Sequence, residues 1–434
     1  MHAGHVDMEL QSLEPLAQQL FADIRGLTFD GVGVTRASYG EGENACAAYL
    51  AQFARAEGLE VTCDRAGNFV YFDPADTRAG AAVWTGSHLD SVPQGGNYDG
   101  LAGVVAGLLV LIAVKRQGVV LPTPLKVIGF RGEESAWFGK AYMGSGALWG
   151  KLSSADLALT RRGDDVALHD AMAACGADMA AISRQEKLLN PVDIRAYVEL
   201  HIEQGPVMVA RDIPVGVVTG IRGNVRHNKI ECLGDAQHSG VVPRWLRKDA
   251  VFAVSDLIVR LDNHWRALLE RGTDLVVTCG VVQTNPAEHS ISRVPGYASF
   301  SLEARSKSND TLEAFYQLVQ AEMASIERER GVQFMRDRRL MSDPAVCDAQ
   351  LCDAMAHACR TRGIAHERIA SGAGHDAALF ANGGVPSAMV FVRNQHGSHN
   401  PHEAMELADF MLGTQVLADT IAAIHPLPAP AASV

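Results

Sequence analysis

At 434 residues, with 47% hydrophobic and 20% charged residues, the chain is long enough for two domains that each bury a core of their own. A formal net charge of −12 argues against a nucleic-acid footprint, and no basic run or stretch of eighteen apolar residues suggests a membrane surface or span. The eight cysteines, at 46, 63, 175, 232, 279, 347, 352 and 359, form no CxxC, and MHAGHVDMELQSLEPLAQQL lacks a secretory pattern, so reduced thiols and a cytoplasmic location are expected. Any metal must then be held by His and carboxylates.

Apolar residues at three- and four-residue spacing predict helices over 9–27 and 41–58. Strand-like runs follow in LEVTCD, NFVYFD and AAVWTGS. The last opens WTGSHLDSVPQGGNYDGLAGVVAGL, which sets His88 and Asp90 at a strand end and Asp99 in a Gly-rich loop before an apolar helix over 100–116. Imidazole and carboxylate at such a place suit zinc and its neighbours. A solvated strand end with a tight turn would read the same way.

LKVIGF (125–130) then runs into Arg131-Gly132-Glu133-Glu134. Adjacent carboxylates at a buried strand end are costly without a cation. Alternation along the strand would point them apart, one to a metal and one to water. Residues 153–188 read as Ala-rich and helical. IRAYVELHIEQGP (194–206) is a further strand, ending with His201, Glu203 and Gln204.

From about 214 the texture changes: VGVVTGI, NKIECLGD, DLVVTCGVVQT and ASFSLEAR alternate as strands, with helices at 249–270 and 309–330 between them. That pattern predicts an inserted α+β module over 214–332, a four-stranded antiparallel sheet with two helices on one face, serving as lid or dimer surface. Within it His238 lies in a polar turn and Arg305 closes a strand. It would separate two parts, 1–213 and 333–434, of a mostly parallel α/β domain covered by helices on both faces. In the second part a helix at 348–362 precedes Gly372-Ala373-Gly374-His375-Asp376-Ala377. The strand SAMVFV then leads into a loop with His396, His399 and His402, the last helix is read over 404–424, and HPLPAPAASV reads as a frayed tail. These strand ends thus offer His88, Asp99, Glu134, His201 and one of those three histidines, enough for two divalent ions sharing a carboxylate. Glu133 would be left as general base for amide-type hydrolysis.

GSHLDSVPQGGNYDG, RGEESAWFG, ELHIEQGP, AQHSGVVPRWLRKDA, GAGHDA and GSHNPHE, in this order over roughly 33–410, resemble the hydantoinase/carbamoylase family of amidohydrolases within the two-metal aminoacylase–aminopeptidase clan. The resemblance implies that His88 and His201 bind one ion and Glu134 and His399 the other, with Asp99 bridging; zinc is the first expectation, and manganese, cobalt or nickel are admitted. It implies that Glu133 is the catalytic base, that Asp90 orients His88, and that Gln204 and His375 line the substrate pocket. It further implies that His238 stabilises the oxyanion, from its own or a second subunit, and that Arg305 clamps a substrate carboxylate. A homodimer through the lid and a small ureido (N-carbamoyl) carboxylate substrate follow from the same resemblance, N-carbamoyl-L-amino acids first. Allantoate, a β-ureido acid, or aminoacylase or dipeptidase activity are the alternatives. Two departures stand out: Ser292 occupies the place of an Asn usual thirteen residues before Arg305, and the strand ends LEAR rather than LDxR. A scaffold that had kept only the fold would have lost ligands or base, and all are present.

Overall fold

Four runs of six to nine mostly apolar residues, Ala82–His88, Leu125–Phe130, Ile194–Ile202 and Ser387–Val392, form the parallel centre of a nine-stranded sheet. The computed structural model describes residues 8–426. It divides into one unit made of the chain up to Gly220 and from Val346 onward, which holds this sheet, and a second unit, Ile221–Ala345. Across the first sheet the order is Glu60–Cys63, Phe69–Phe72, Leu125–Phe130, Ala82–His88, Ile194–Ile202, Ser387–Val392 and Val215–Ile221. The four central strands are mutually parallel, whereas the pairs at either side are antiparallel. All six residues of Ser387–Val392 are buried, as a strand covered on both faces requires.

The helix Leu101–Gln117 explains its own position. Every residue from Leu101 to Ala113 is buried, the pattern of a helix enclosed on all sides rather than lying at a surface. Gly118, at φ 64°, ends it in the left-handed conformation that glycine adopts without strain. The Asp99 loop at its start is therefore fixed between a buried strand and a buried helix. Because the four parallel strands are neighbours, their carboxyl ends share one edge, where ligands of open α/β sheets are found.

In the smaller unit, strands Gly223–Leu233 and Tyr297–Ser306 run antiparallel at the centre. Val276–Thr278 and Val282–Thr284 flank the second, and Gln333–Arg336 and Leu340–Ser342 flank the first. The expected four strands are thus four lanes, with both outer lanes interrupted. DLVVTCGVVQT breaks because Ser301 bonds Val281 in both directions (3.0 Å each) beside a register shift between Phe300 and Leu302. Helices Ala250–Glu270 and Asn309–Arg330 bury Val254, Leu257, Phe315 and Val319 against Phe300, Leu302 and Ile230.

The structure corrects the sequence reading in several places. The inserted unit runs 221–345 rather than 214–332, because Val215–Ile221 pairs with Ser387–Val392 in the large sheet and 333–342 pairs with Gly223–Leu233. Residues 153–188 hold three short helices, Ser154–Leu157, Leu168–Ala174 and Met179–Ser183, parted by turns at Gly163 and Gly176 with positive φ. The last helix, expected over 404–424, is Leu407–Ala422. Strand His366–Ser371, half-buried and polar at its start, was not expected. The N-terminal 1–7 and the tail from 427 lie outside the described residues. No helix among the described residues is long and apolar enough to cross a membrane.

Candidate metal and catalytic site

Each of the four adjacent parallel strands delivers a functional group at its carboxyl end. Ala82–His88 ends on His88 and leads to Asp90 and Asp99; Leu125–Phe130 leads to Glu133 and Glu134. Ile194–Ile202 carries His201 and leads to Gln204; Ser387–Val392 leads to His399. The adjacent glutamates do not lie on the strand. It stops at Phe130 and Gly132 turns the chain at φ 62°, so this loop, rather than strand alternation, presents the two carboxylates. Gln204, His396 and His399 all have φ near 60°, uncommon for residues with a side chain.

The donor geometry calls for a cation. His88 Nδ1 lies 3.1 Å from the Asp90 carbonyl, and His201 Nδ1 lies 2.9 Å from the Ile202 carbonyl. A carbonyl only accepts, so each ring carries its hydrogen on Nδ1 and turns the Nε2 lone pair inward. The two Nε2 atoms face each other at 3.4 Å. Asp99 Oδ1 stands 3.5 Å from one and 3.2 Å from the other, buried and without a hydrogen-bond partner. Three donor atoms this close fit a divalent ion bound by nitrogen and oxygen. The other carboxylate oxygen of Asp99 lies 3.4 Å from His399 Nε2, which is 3.1 Å from Glu134 Oε1. Asp99 therefore joins two ligand groups, His88/Asp99/His201 and Asp99/Glu134/His399.

Electrostatics agree. Burial opposes charge on His88 and His201, but the carboxylates around them outweigh it and hold both imidazoles above the ordinary value. Asp99 and then Glu134 push His399 up to about 11. Asp99 itself is held well below the usual range: burial would raise it, but His201, His399 and His88 prevail. The site pulls positive charge inward. Glu133 is pushed well above its usual value, first by burial and then by Glu134, Asp376 and Asp90 against the pull of His88.

Asp90 does more than orient one histidine. It is fully buried and accepts the amide of Glu133 (3.0 Å) on one oxygen and that of Glu134 (3.1 Å) and Ser38 Oγ (2.6 Å) on the other. Its carboxylate is 3.4 Å from His88 Nδ1, slightly farther than its own carbonyl. The same loop is tied down by the buried Arg131–Glu43 pair (2.7 Å), whose carboxylate also accepts the Gly132 amide at 2.9 Å.

A family model for peptidase family M20/M25/M40 matches residues 84–423. The chain belongs to this family. Within it, the M20 chain is 33% identical over 390 residues to the N-carbamoyl-L-amino acid amidohydrolase of Geobacillus stearothermophilus, covering 90% of this chain and 93% of that one. It is 31% identical over 365 residues to the allantoate amidohydrolase of Escherichia coli (strain K12), covering 84% and 86%. The crystal structure of a hydantoinase/carbamoylase family amidase from Burkholderia ambifaria superimposes with a TM-score of 0.82 at 30% identity, over 98% of both chains. The resemblance read from the motifs thus holds, and this M20 enzyme is a hydrolase of C–N bonds other than peptide bonds in linear amides.

The other expected residues divide between the two units of the M20 chain. In the larger, Gln204 Nε2 donates to Asp99 Oδ2 (2.9 Å) while its Oε1 is buried without a partner. The His375 ring centroid lies 4.5 Å from that of His201, and its Nε2 meets Ser371 Oγ at 2.8 Å. In the smaller, His238 pairs opposite Arg293, and the Ser239 amide donates to the Ser292 carbonyl (2.8 Å), so the segments bearing His238 and Ser292 are knit together. Arg305 meets the Glu303 carboxylate at 3.0 and 3.1 Å, which gives the LEAR departure a consequence: this glutamate reaches the guanidinium.

Sequence reasoning left Arg36, Glu199, Asp376, Ser398 and Glu403 unassigned. Glu199 is buried and accepts from Ser87 Oγ (2.7 Å) and the Ala377 amide (3.0 Å), tying the His375 loop to the sheet. Its position two residues before His201, on the same face of the strand, was the available signal. Ser398 Oγ contacts both Asp99 and Glu403.

Proposed function

We propose that this enzyme cleaves the C–N bond of a ureido group on a carboxylate-bearing amine, with N-carbamoyl-L-amino acids as first substrate class. Water is consumed; amine, ammonia and carbon dioxide are released. The observation that carries the reading is the convergence of two ligand groups on Asp99 with the neighbouring Glu133 carboxylate free of hydrogen bonds among the described residues. His88, His201 and Asp99 would hold one divalent ion, and Asp99, Glu134 and His399 the second; zinc, manganese, cobalt and nickel all suit these donors. Such ions supply Lewis acidity toward a carbonyl and toward water.

The remaining steps belong to the chain. Glu133, raised in pKa by its burial, takes a proton from the attacking water and passes it to the departing nitrogen. Asp90 keeps the backbone of Glu133 and Glu134 in place, so base and ligand move together. Gln204, with one buried amide oxygen unpaired, and His375 line the substrate pocket. From the smaller unit, His238 would donate to the developing oxyanion and Arg305 would grip the substrate carboxylate, exchanging Glu303 for it. Ser292 has shorter reach than Asn, one donor fewer, and would set which ureido acid is preferred. We also propose that the enzyme works as a homodimer through the smaller unit.

The test is ammonia release by metal-reconstituted protein from N-carbamoyl-L- and D-amino acids, N-carbamoyl-β-alanine and allantoate, with and without chelator, beside amine release from N-acetyl amino acids and a dipeptide. Chelator-sensitive release from a ureido acid is expected. Cleavage of the acetyl compounds or dipeptide alone would overturn the ureido assignment.

A further inference from the structure

Resting on the two-metal reading above, we infer that Arg36 and Glu403 are positioning residues that grip the Asp99 segment from opposite sides and fix where its shared carboxylate stands. Arg36 is the largest fully buried side chain of the structure, and no carboxylate among the described residues pairs with it. Its guanidinium donates to the Leu89 carbonyl (2.7 Å), Asn97 Oδ1 (3.4 Å) and the Asp99 carbonyl (3.4 Å). Its own backbone is locked to Ser91, which accepts the Arg36 amide on Oγ and donates to the Arg36 carbonyl, each at 2.9 Å.

Glu403 is the counterpart. Its carboxylate is buried, pairs with no cation among the described residues, and accepts the amides of Tyr98 (2.8 Å) and Asp99 (3.2 Å) on one oxygen. The other oxygen meets Ser398 Oγ at 2.6 Å, next to the ligand His399. Gly96 makes room for it, since a Cβ there would lie 2.1 Å from the Glu403 carboxyl carbon. Burying a charge without a partner is costly, and here a cation and an anion are buried with the backbone of Asp99 between them. The carbonyl of Asp99 faces the guanidinium and its amide faces the carboxylate. That polarisation holds the one residue both ligand groups share. Outer partners of this kind are typically worth about 10–100-fold in metal affinity.

The experiment compares full-length wild type with Arg36→Gln, Glu403→Ala and Glu403→Gln, each stripped by chelator and titrated with cobalt(II). Cobalt stoichiometry, affinity by calorimetry and the visible ligand-field spectrum are read, with far-ultraviolet circular dichroism of the metal-free proteins. Arg36→Gln and Glu403→Ala should keep the wild-type fold, bind cobalt about 10–100-fold more weakly and shift the spectrum. Glu403→Gln, which keeps an acceptor for both amides, should restore the wild-type spectrum. A role in fold stability alone would leave affinity and spectrum unmoved, and that result in both variants overturns the inference. If Arg36→Gln does not fold, Glu403→Ala decides by itself. A wild-type chain that takes up no cobalt overturns the two-metal reading first, an outcome distinct from normal uptake by the variants.

Discussion

Replacing Asp90 by Asn tests how the loop bearing Glu133 and Glu134 is held. The side chain keeps its shape, and its remaining oxygen can still accept the Glu133 amide, formed at 3.0 Å in the native protein. The new NH2 then stands where the second carboxylate oxygen accepted Ser38 Oγ and the Glu134 amide. The Ser38 hydroxyl can rotate to accept, but the Glu134 amide cannot, and it is left buried against another donor. One orphaned buried donor costs about 1–3 kcal/mol, and loss of charge on the surviving bond about 1 kcal/mol more. The loop should therefore open more easily by roughly 2–4 kcal/mol, which corresponds to a fall of about 30- to 1000-fold in exchange protection at one decade per 1.36 kcal/mol. Amide hydrogen exchange of metal-free protein, read at Glu133 and Glu134, measures it directly. Protection within a factor of two of wild type at both amides would refute the account of Asp90 as the anchor of this loop.

Glu133→Gln should retain both metal ions by atomic emission while kcat falls by roughly 10²–10⁴, the usual contribution of a general base; wild-type turnover would remove Glu133 from that role. Arg305→Ala should raise KM for ureido carboxylates far more than for neutral ureas, and equal effects on the two would discard the clamp. In the smaller unit, Asp274 is bound by Arg222 at 2.6–3.0 Å and by the Lys307 amide at 2.9 Å. Burial pushes its pKa up, but these partners outweigh it and hold it below the ordinary value. A depressed folded pKa adds stability above the unfolded value of about 3.9, and that share is lost as pH falls through the folded value. Asp274→Asn should thus be less stable than wild type in urea at about pH 6 and converge with it toward about pH 2–3; a constant gap across that range would refute the linkage.

The candidate ligand set was legible because each residue sits in a short motif at the end of an apolar run, and parallel strands bring such ends to one edge. His88, Asp99, Glu134 and His201 could be read from position, His399 was singled out from three loop histidines only by the family resemblance, and the structure brings all five together. What escaped the sequence lacks such a signature. Arg36 and Glu403 act largely on backbone amides and carbonyls, and a side chain aimed at main chain follows no period in the sequence. Glu133 and Glu134 stand out in the sequence as an acidic pair, but the glycine turn that presents them has no signature distinct from a strand end. The module boundary was misplaced by seven residues at its start and thirteen at its end, 214 against 221 and 332 against 345, because strands of the two sheets read alike until their partners are known.

Gly100 precedes the buried helix at φ 69°, and a Cβ there would lie 2.3 Å from His88 Nδ1. Gly96 meets the same limit against Glu403. Each glycine is closed to substitution by volume alone. Sequence drift around this site is therefore bounded by space as well as by chemistry.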